Sequence, residues 1–244
     1  MRVARLVLPA LAAALLLLVA PGRAAAAGPV YSGTGWKIAT KDGIHSLSPK
    51  SYVFTFASTS SRTKLTPYAQ AVAAQLTAVT GTKFVVSTTV ETPPAVGSCP
   101  AEHHLILGVK YRPVGTKGMS RAYNCFTDRA GSVDYRAAWG GWAWIDSEYW
   151  YANWFSTNAT VNSARIKNAV THEVGHLVGL DHPNKDLDKD GVVEDYECAR
   201  TTGGYLPVMC APGLGGYTTS TSGGKFTSRD TPGLKQLVAN YGLG

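Results

Sequence analysis

Acidic residues are scarce in this chain: sixteen Asp and Glu stand against twenty-three Lys and Arg in 244 positions, a formal net charge of +7. The basic residues are scattered, without a basic run and without interleaved aromatics, which speaks against a nucleic-acid-binding surface. Charge of this kind serves solubility. Only four cysteines occur, Cys99, Cys125, Cys198 and Cys210, and no C-x-x-C spacing joins any of them, so a cysteine-ligated metal site is a poor reading. An even count suits two disulfides in an oxidising compartment. Three pairings are open; Cys99 with Cys125 and Cys198 with Cys210 each close a modest loop, and that pairing is the expectation. Internal repeats and a strong Pro/Gly linker are also lacking. After the N-terminal twenty residues no stretch is long and apolar enough to cross a bilayer, so no stable membrane insertion is expected.

The N-terminus reads as a secretory signal peptide over residues 1–27. Arg2 and Arg5 form a positive start, Leu6 to Ala20 is apolar, Pro21 and Gly22 break the run, and Ala24 to Ala27 offer small residues for cleavage. The expectation is an exported, extracellular protein. Residues 28–50 then form a short N-terminal extension, and 51–244 the main domain.

Within that domain, periodicity predicts an α+β fold: a mixed sheet with helices packed on it. Alternating aromatic and β-branched residues make 51–58 a strand, and 82–90 and 103–112 read as two more. Between the first two, 65–81 reads as a helix, starting at Thr66-Pro67 and stopping at Gly81. Residues 135–150 suggest one or two further strands, the Gly140-Gly141 pair marking a bulge or a close backbone approach. The last helix, within 228–242, begins at Asp230 as its cap and carries Leu234, Leu237, Val238 and Tyr241 as a core stripe. Residues 215–224, rich in Gly, Ser and Thr, read as a flexible surface loop.

The informative stretch is 171–183, which holds three of the six histidines within eleven positions. Ile166, Ala169, Val170, Val174, Leu177 and Val178 recur at helical spacing through it, so 162–180 is a helix ended by Gly179. Residues four apart share a helix face, and His172 and His176 therefore point at a common position. Gly179 lets the chain turn back and bring His182 to the same point as a third ligand. Three histidines around one Zn²⁺ leave the fourth position open, the hallmark of a catalytic rather than a structural zinc. Glu173 is next to the first ligand, near enough to act on a water at that position. Asp181 is an alternative third ligand, but the histidine fits the spacing better.

The string H-E-x-x-H-x-x-G-x-x-H resembles the signature of the metzincin metallopeptidases, and the chain resembles a small, secreted, matrixin-like protease. The resemblance implies a Met-turn beneath the histidines, and Met209 in "YLPVMCAP" is the one methionine downstream of His182. It implies that Glu173 is the general base, that His172, His176 and His182 hold zinc, and that a peptide substrate pairs with an edge strand, here around Ala138 to Ile145. Three departures stand out. Pro183 follows the third histidine where matrixins carry Ser. Ala211 replaces a tyrosine two residues after the methionine, leaving Tyr217 as a substitute. No cysteine of the cysteine-switch kind occurs in 28–50.

Residues 186–197 match D-x-[DN]-x-[DN]-G-x5-E and hold six of the sixteen acidic residues. Asp186, Asp188, Asp190 and Glu197 offer carboxylates, Val192 its carbonyl, and Gly191 the sharp turn, a candidate calcium loop. The resulting expectation is a monomeric, zinc-dependent endopeptidase acting on protein or peptide, with calcium as a second cation. The alternatives are a zinc amidase of narrow specificity for cell-wall peptide and a non-catalytic exported binding module.

Overall fold

The computed structural model describes residues 28–213 and 215–243, and the expected signal segment 1–27 lies outside the described residues. Residues 28–50, expected as an extension ahead of the first strand, contain three short strands. These are β1 (Ser32–Gly33), β2 (Trp36–Ile38) and β3 (Ser46–Leu47). Their apolar side chains Ile38, Ile44 and Leu47 are fully buried, which ties the segment to the core.

The main sheet has six strands. β4 (Tyr52–Phe56), β5 (Phe84–Val90), β6 (His104–Lys110) and β8 (Ala137–Asp146) run parallel in the order β8-β6-β4-β5, with β3 parallel against the start of β8. β7 (Arg121–Phe126) is antiparallel on β8 and is the outer strand on that side. Sequence pattern alone did not suggest β7, because "RAYNCF" is short and only partly apolar. Its presence corrects the expected edge. β8 residues 141–144 pair with β6 on one side and β7 on the other, so β8 has no free edge there. The Gly140-Gly141 expectation holds: a Cβ on Gly140 would meet the His104 carbonyl oxygen at 2.9 Å. One on Gly141 would meet the Asn124 Cα at 3.0 Å, and the β7 register shifts just beside the pair.

Between β4 and β5 runs α1 (Thr59–Thr80), which starts six residues before the expected 65. Ser58 caps it, its Oγ accepting from Ser61 N at 3.0 Å, and Pro67 lies inside the helix. Proline removes one helical hydrogen bond, yet the early turns are retained by tertiary contacts. Leu65 is fully buried and the Ser61 hydroxyl accepts from Val109 N of β6 at 3.1 Å. Burying Leu65 and Leu76 contributes about 1.5–3 kcal/mol each. Gly81 ends the helix at φ 74° as expected.

α2 (Ala159–Leu177) lies over β7 and β8, and α1 over β4, β5 and β6. α3 (Thr231–Ala239) packs against α1 and completes one continuous apolar core. After α2, β9 (Leu180–Asp181) joins β2 antiparallel, forming a small second sheet β1-β2-β9. The described part is thus mixed α and β, with a mostly parallel sheet and three helices. Both disulfides form in the expected pairing, Cys99–Cys125 and Cys198–Cys210. Among the described residues no helix is long and apolar enough to cross a membrane.

Candidate metal centre

α2 begins three residues before the expected Asn162. Asn158 supplies the cap, its Oδ1 accepting from Thr160 N at 3.0 Å and Val161 N at 3.1 Å. The helix then carries His172 and His176 on one face, one turn apart. Gly179, at φ 106°, turns the chain into β9, which β2 holds through Lys37 opposite Asp181 and Ile38 opposite Leu180. His182 follows directly. The third histidine is therefore positioned by residues near the N-terminus of the described chain, a contribution no local pattern could reveal.

The three Nε2 atoms form a triangle with every side 3.1 Å. His172 Nδ1 donates to the Val208 carbonyl at 2.8 Å and His176 Nδ1 donates to the Leu180 carbonyl at 2.9 Å. Those bonds commit both neutral rings to the tautomer with a lone pair on Nε2. Two acceptors facing each other at 3.1 Å cannot hydrogen-bond; they repel unless a cation lies between them. One ion about 2.0–2.1 Å from each nitrogen reaches all three, the usual zinc–imidazole distance. Burial keeps the rings neutral. It pulls His172 down to about 4, with the neighbouring His182 adding to the effect and the Val208 bond opposing it. Burial likewise takes His176 well below the ordinary value and lowers His182.

Glu173, next to His172 in α2, is buried. Desolvation pushes its carboxyl up to about 8, against the pull of the Arg121 guanidinium. Arg121 starts β7, and Asn124 of the same strand donates from Nδ2 to the His176 carbonyl at 3.3 Å, so β7 borders the centre.

Met209 packs under the α2 turn that joins His172 to His176. Its Sδ touches the space a Gly175 Cβ would fill, with Met209 Cε at 3.1 Å from the same point. Asp230, expected to cap α3, makes no cap bond. Its buried carboxylate turns inward instead. Oδ2 accepts from Val208 N at 2.9 Å and Thr227 N at 2.7 Å, and Oδ1 accepts from Met209 N at 3.1 Å. α3 thus anchors the turn whose Val208 carbonyl orients His172.

Asp181 is not a member of the triangle. It forms ion pairs with Lys37 at 2.9 Å and Lys41 at 3.4 Å and accepts from His182 N at 2.8 Å. Burial raises its carboxyl, but the Lys37 bond and its other partners outweigh that and leave it below the ordinary value. Tyr217 packs edge-to-face on Tyr205 at 5.0 Å between centroids. Residues 215–224, expected as a flexible loop, are anchored at both ends by a buried α2 side chain. Asn168 Nδ2 donates to the Gly215 and Tyr217 carbonyls at 2.9 Å, and its Oδ1 accepts from Gly224 N at 2.6 Å. A buried Asn on an otherwise apolar helix face was the readable sign of such an anchor.

In the acidic loop, Asp186, Asp188 and Glu197 come together, whereas Asp190 gathers with Asp188 and Glu194. Asp190 is thereby parted from the first group, and Glu194, not foreseen as a participant, joins the second. Backbone groups occupy several oxygens: Gly191 N donates to Asp186 Oδ2 at 3.0 Å and Glu194 N to Glu197 Oε2 at 3.0 Å. Gly191 makes the turn at φ 94°, and no helix flanks the loop on either side. Val192 is exposed, and its N–H donates to Asp190 Oδ1 at 2.8 Å.

No protein-family model matches this chain, and no curated protein matches it significantly.

Proposed function

We propose that the protein is an exported zinc-dependent endopeptidase of the metzincin type, close to the matrixins. The observation that carries this reading is the triangle of three neutral imidazole nitrogens, 3.1 Å apart, with the buried Glu173 adjacent to His172 in α2. A purely structural site has no use for that carboxylate. His172, His176 and His182 would hold the zinc, which when bound supplies the Lewis acidity that acidifies a water and polarises a scissile carbonyl. Glu173 accepts the proton of the attacking water and passes it to the departing amine. Burial raises its carboxyl, and a bound dication would draw it back toward the ionised form that a general base needs. Val208 and Leu180 carbonyls keep the two helix histidines in their ligand tautomer, and Met209 fills the floor.

An extended peptide fits the outer edge of β7 rather than β8, since β7 pairs only with β8 and borders the centre through Asn124. Export agrees with the signal-like N-terminus and the two disulfides. A calcium ion in the acidic loop belongs to the same reading, held by Asp186, Asp188 and Glu197, the three carboxylates that converge.

The test is metal content and casein hydrolysis of the purified protein, with Glu173→Gln measured beside it. One zinc per chain with hydrolysis only by the unsubstituted protein is the expected result. Bound zinc without hydrolysis of any general protein substrate would turn the reading to a narrow amidase or a binding module, and absence of zinc would remove it.

A further inference from the structure

A second constellation of charge lies away from the three histidines. Arg165, two turns before His172 on α2, and Arg200 line one cavity of about 180 Å³ together with Tyr205, Leu206, Gly216 and Thr218. No Asp or Glu lines it. Among the described residues neither arginine has a carboxylate within ion-pair distance; the acidic partners there serve Lys37, Lys41, His104, Arg112 and Arg136.

A guanidinium has five N–H donors. Arg165 uses Nη1 on the Gly215 carbonyl at 3.2 Å, and Arg200 uses Nη1 on the Gly204 carbonyl at 2.9 Å. The remaining donors of both forks are left for something else. Two like charges sharing one cavity also repel, and burial disfavours the Arg165 cation further. Such an arrangement costs stability unless an anion offsets it.

The walls are held in advance. Asn168 ties down Gly215 and Tyr217, and Cys198–Cys210 closes the base of the Arg200 segment. Thr201 and Tyr205 bond reciprocally, Thr201 N to the Tyr205 carbonyl at 2.8 Å and Tyr205 N to Thr201 Oγ1 at 3.1 Å. A ligand therefore meets fixed walls and two side chains each tied by one backbone bond, which lowers part of the ordering cost of binding. The cavity is below the ~300–1,000 Å³ of pockets that enclose drug-sized ligands. It suits a single small oxyanion group.

We propose that Arg165 and Arg200 form an oxyanion-binding site, taking a carboxylate, sulfate or phosphate group between their guanidinium forks. Planar forks match these oxygens with two parallel N–H bonds each, and charge-assisted bonds of this kind are about twice as strong as neutral ones. The site does not depend on the peptidase reading, because neither the three histidines nor Glu173 line it.

The experiment is calorimetric titration of sulfate, and separately of N-acetylglutamate, into the purified metal-free protein in chloride-poor buffer. Saturable binding of one anion per chain is expected, weakened about tenfold or more by Arg165→Gln and several-fold by Arg200→Gln. Arg165→Lys, which keeps the charge and loses the fork, should fall between. Arg62→Gln, at a surface arginine bonded to the Thr88 carbonyl, should change nothing. If Arg165→Gln does not fold, Arg200→Gln decides alone, since Arg200 is exposed. Tighter binding of N-acetylglutamate points to an acidic side chain as the natural occupant, and tighter binding of sulfate to a free tetrahedral anion. Absence of saturable binding by both probes, or binding that Arg165→Gln and Arg200→Gln leave intact, would overturn the proposal.

Discussion

The Met209 sulfur lies against Gly175, in the space where any other residue would carry its Cβ. Gly175 is the middle of the helical turn between His172 and His176, so the turn is glycine because the methionine has to approach its backbone. Gly175→Val drives two methyls toward Met209 and toward Phe226 Cε1, which is 3.3 Å from the Cβ position. A loss of about 1–3 kcal/mol is expected from this overpacking. Urea unfolding should show a lower midpoint with an unchanged slope; an unaltered midpoint would mean that the floor is loose.

Asp230→Asn should act at the same place from the other side. The substitution keeps the shape but turns one acceptor into a donor, facing either the Met209 N–H or the N–H groups of Val208 and Thr227. Leaving a buried donor unmet costs about 1–3 kcal/mol. The Val208 carbonyl that orients His172 should shift with the turn, and zinc affinity should fall about 10–100-fold, as loss of a ligand's supporting contact does. Competition against a chromophoric chelator measures it. A stability loss without any change in affinity would show that Asp230 supports the fold alone.

The histidines should make the metal-free protein acid-labile. Burial lowers all three below their ordinary value, His172 to about 4. A group whose folded pKa is depressed stabilises the fold above its unfolded pKa and loses that contribution as pH falls toward the folded one. The melting temperature of metal-free protein should therefore decline as pH drops from about 6.5 to about 4, at up to 1.36 kcal/mol per pH unit for each histidine. His172→Asn should flatten that decline, and an unchanged slope would assign the lability elsewhere.

Zinc should raise stability by mass action, by about 2.7 kcal/mol at a hundredfold excess over its dissociation constant. His182→Ala removes one of the three proposed ligands, and the rise should shrink or vanish. Thermal melts with zinc and with a chelator give the comparison. An equal rise in both proteins would place the metal outside the triangle.

Much of the centre was readable because its determinants are local. His172 and His176 share a face by helical spacing, Gly179 marks the turn, and the neighbouring cysteines pair as their loop lengths suggest. The first turns of α1 were hidden, since Thr59, Ser60 and Ser61 favour turns on their own and Pro67 imitates a helix start. They are helical because Ser61 and Leu65 meet the sheet. β7 was hidden for a similar reason: "RAYNCF" becomes a strand by pairing with β8, not by its own pattern.

The sequence by itself determined the spacing that turns two imidazoles toward one point, the cysteine content, and the alternation that makes β4, β5, β6 and β8 strands. Each of these acts within one segment, where periods of 2 and 3.6 residues decide which way side chains face. Only the tertiary structure decided that Lys37 meets Asp181 and so seats His182, that Asp230 reaches back to Val208 and Met209, and that Arg165 and Arg200 share a cavity. Those are contacts between residues far apart in the chain. No local period carries them, because they exist only once burial of the common core has brought the segments together.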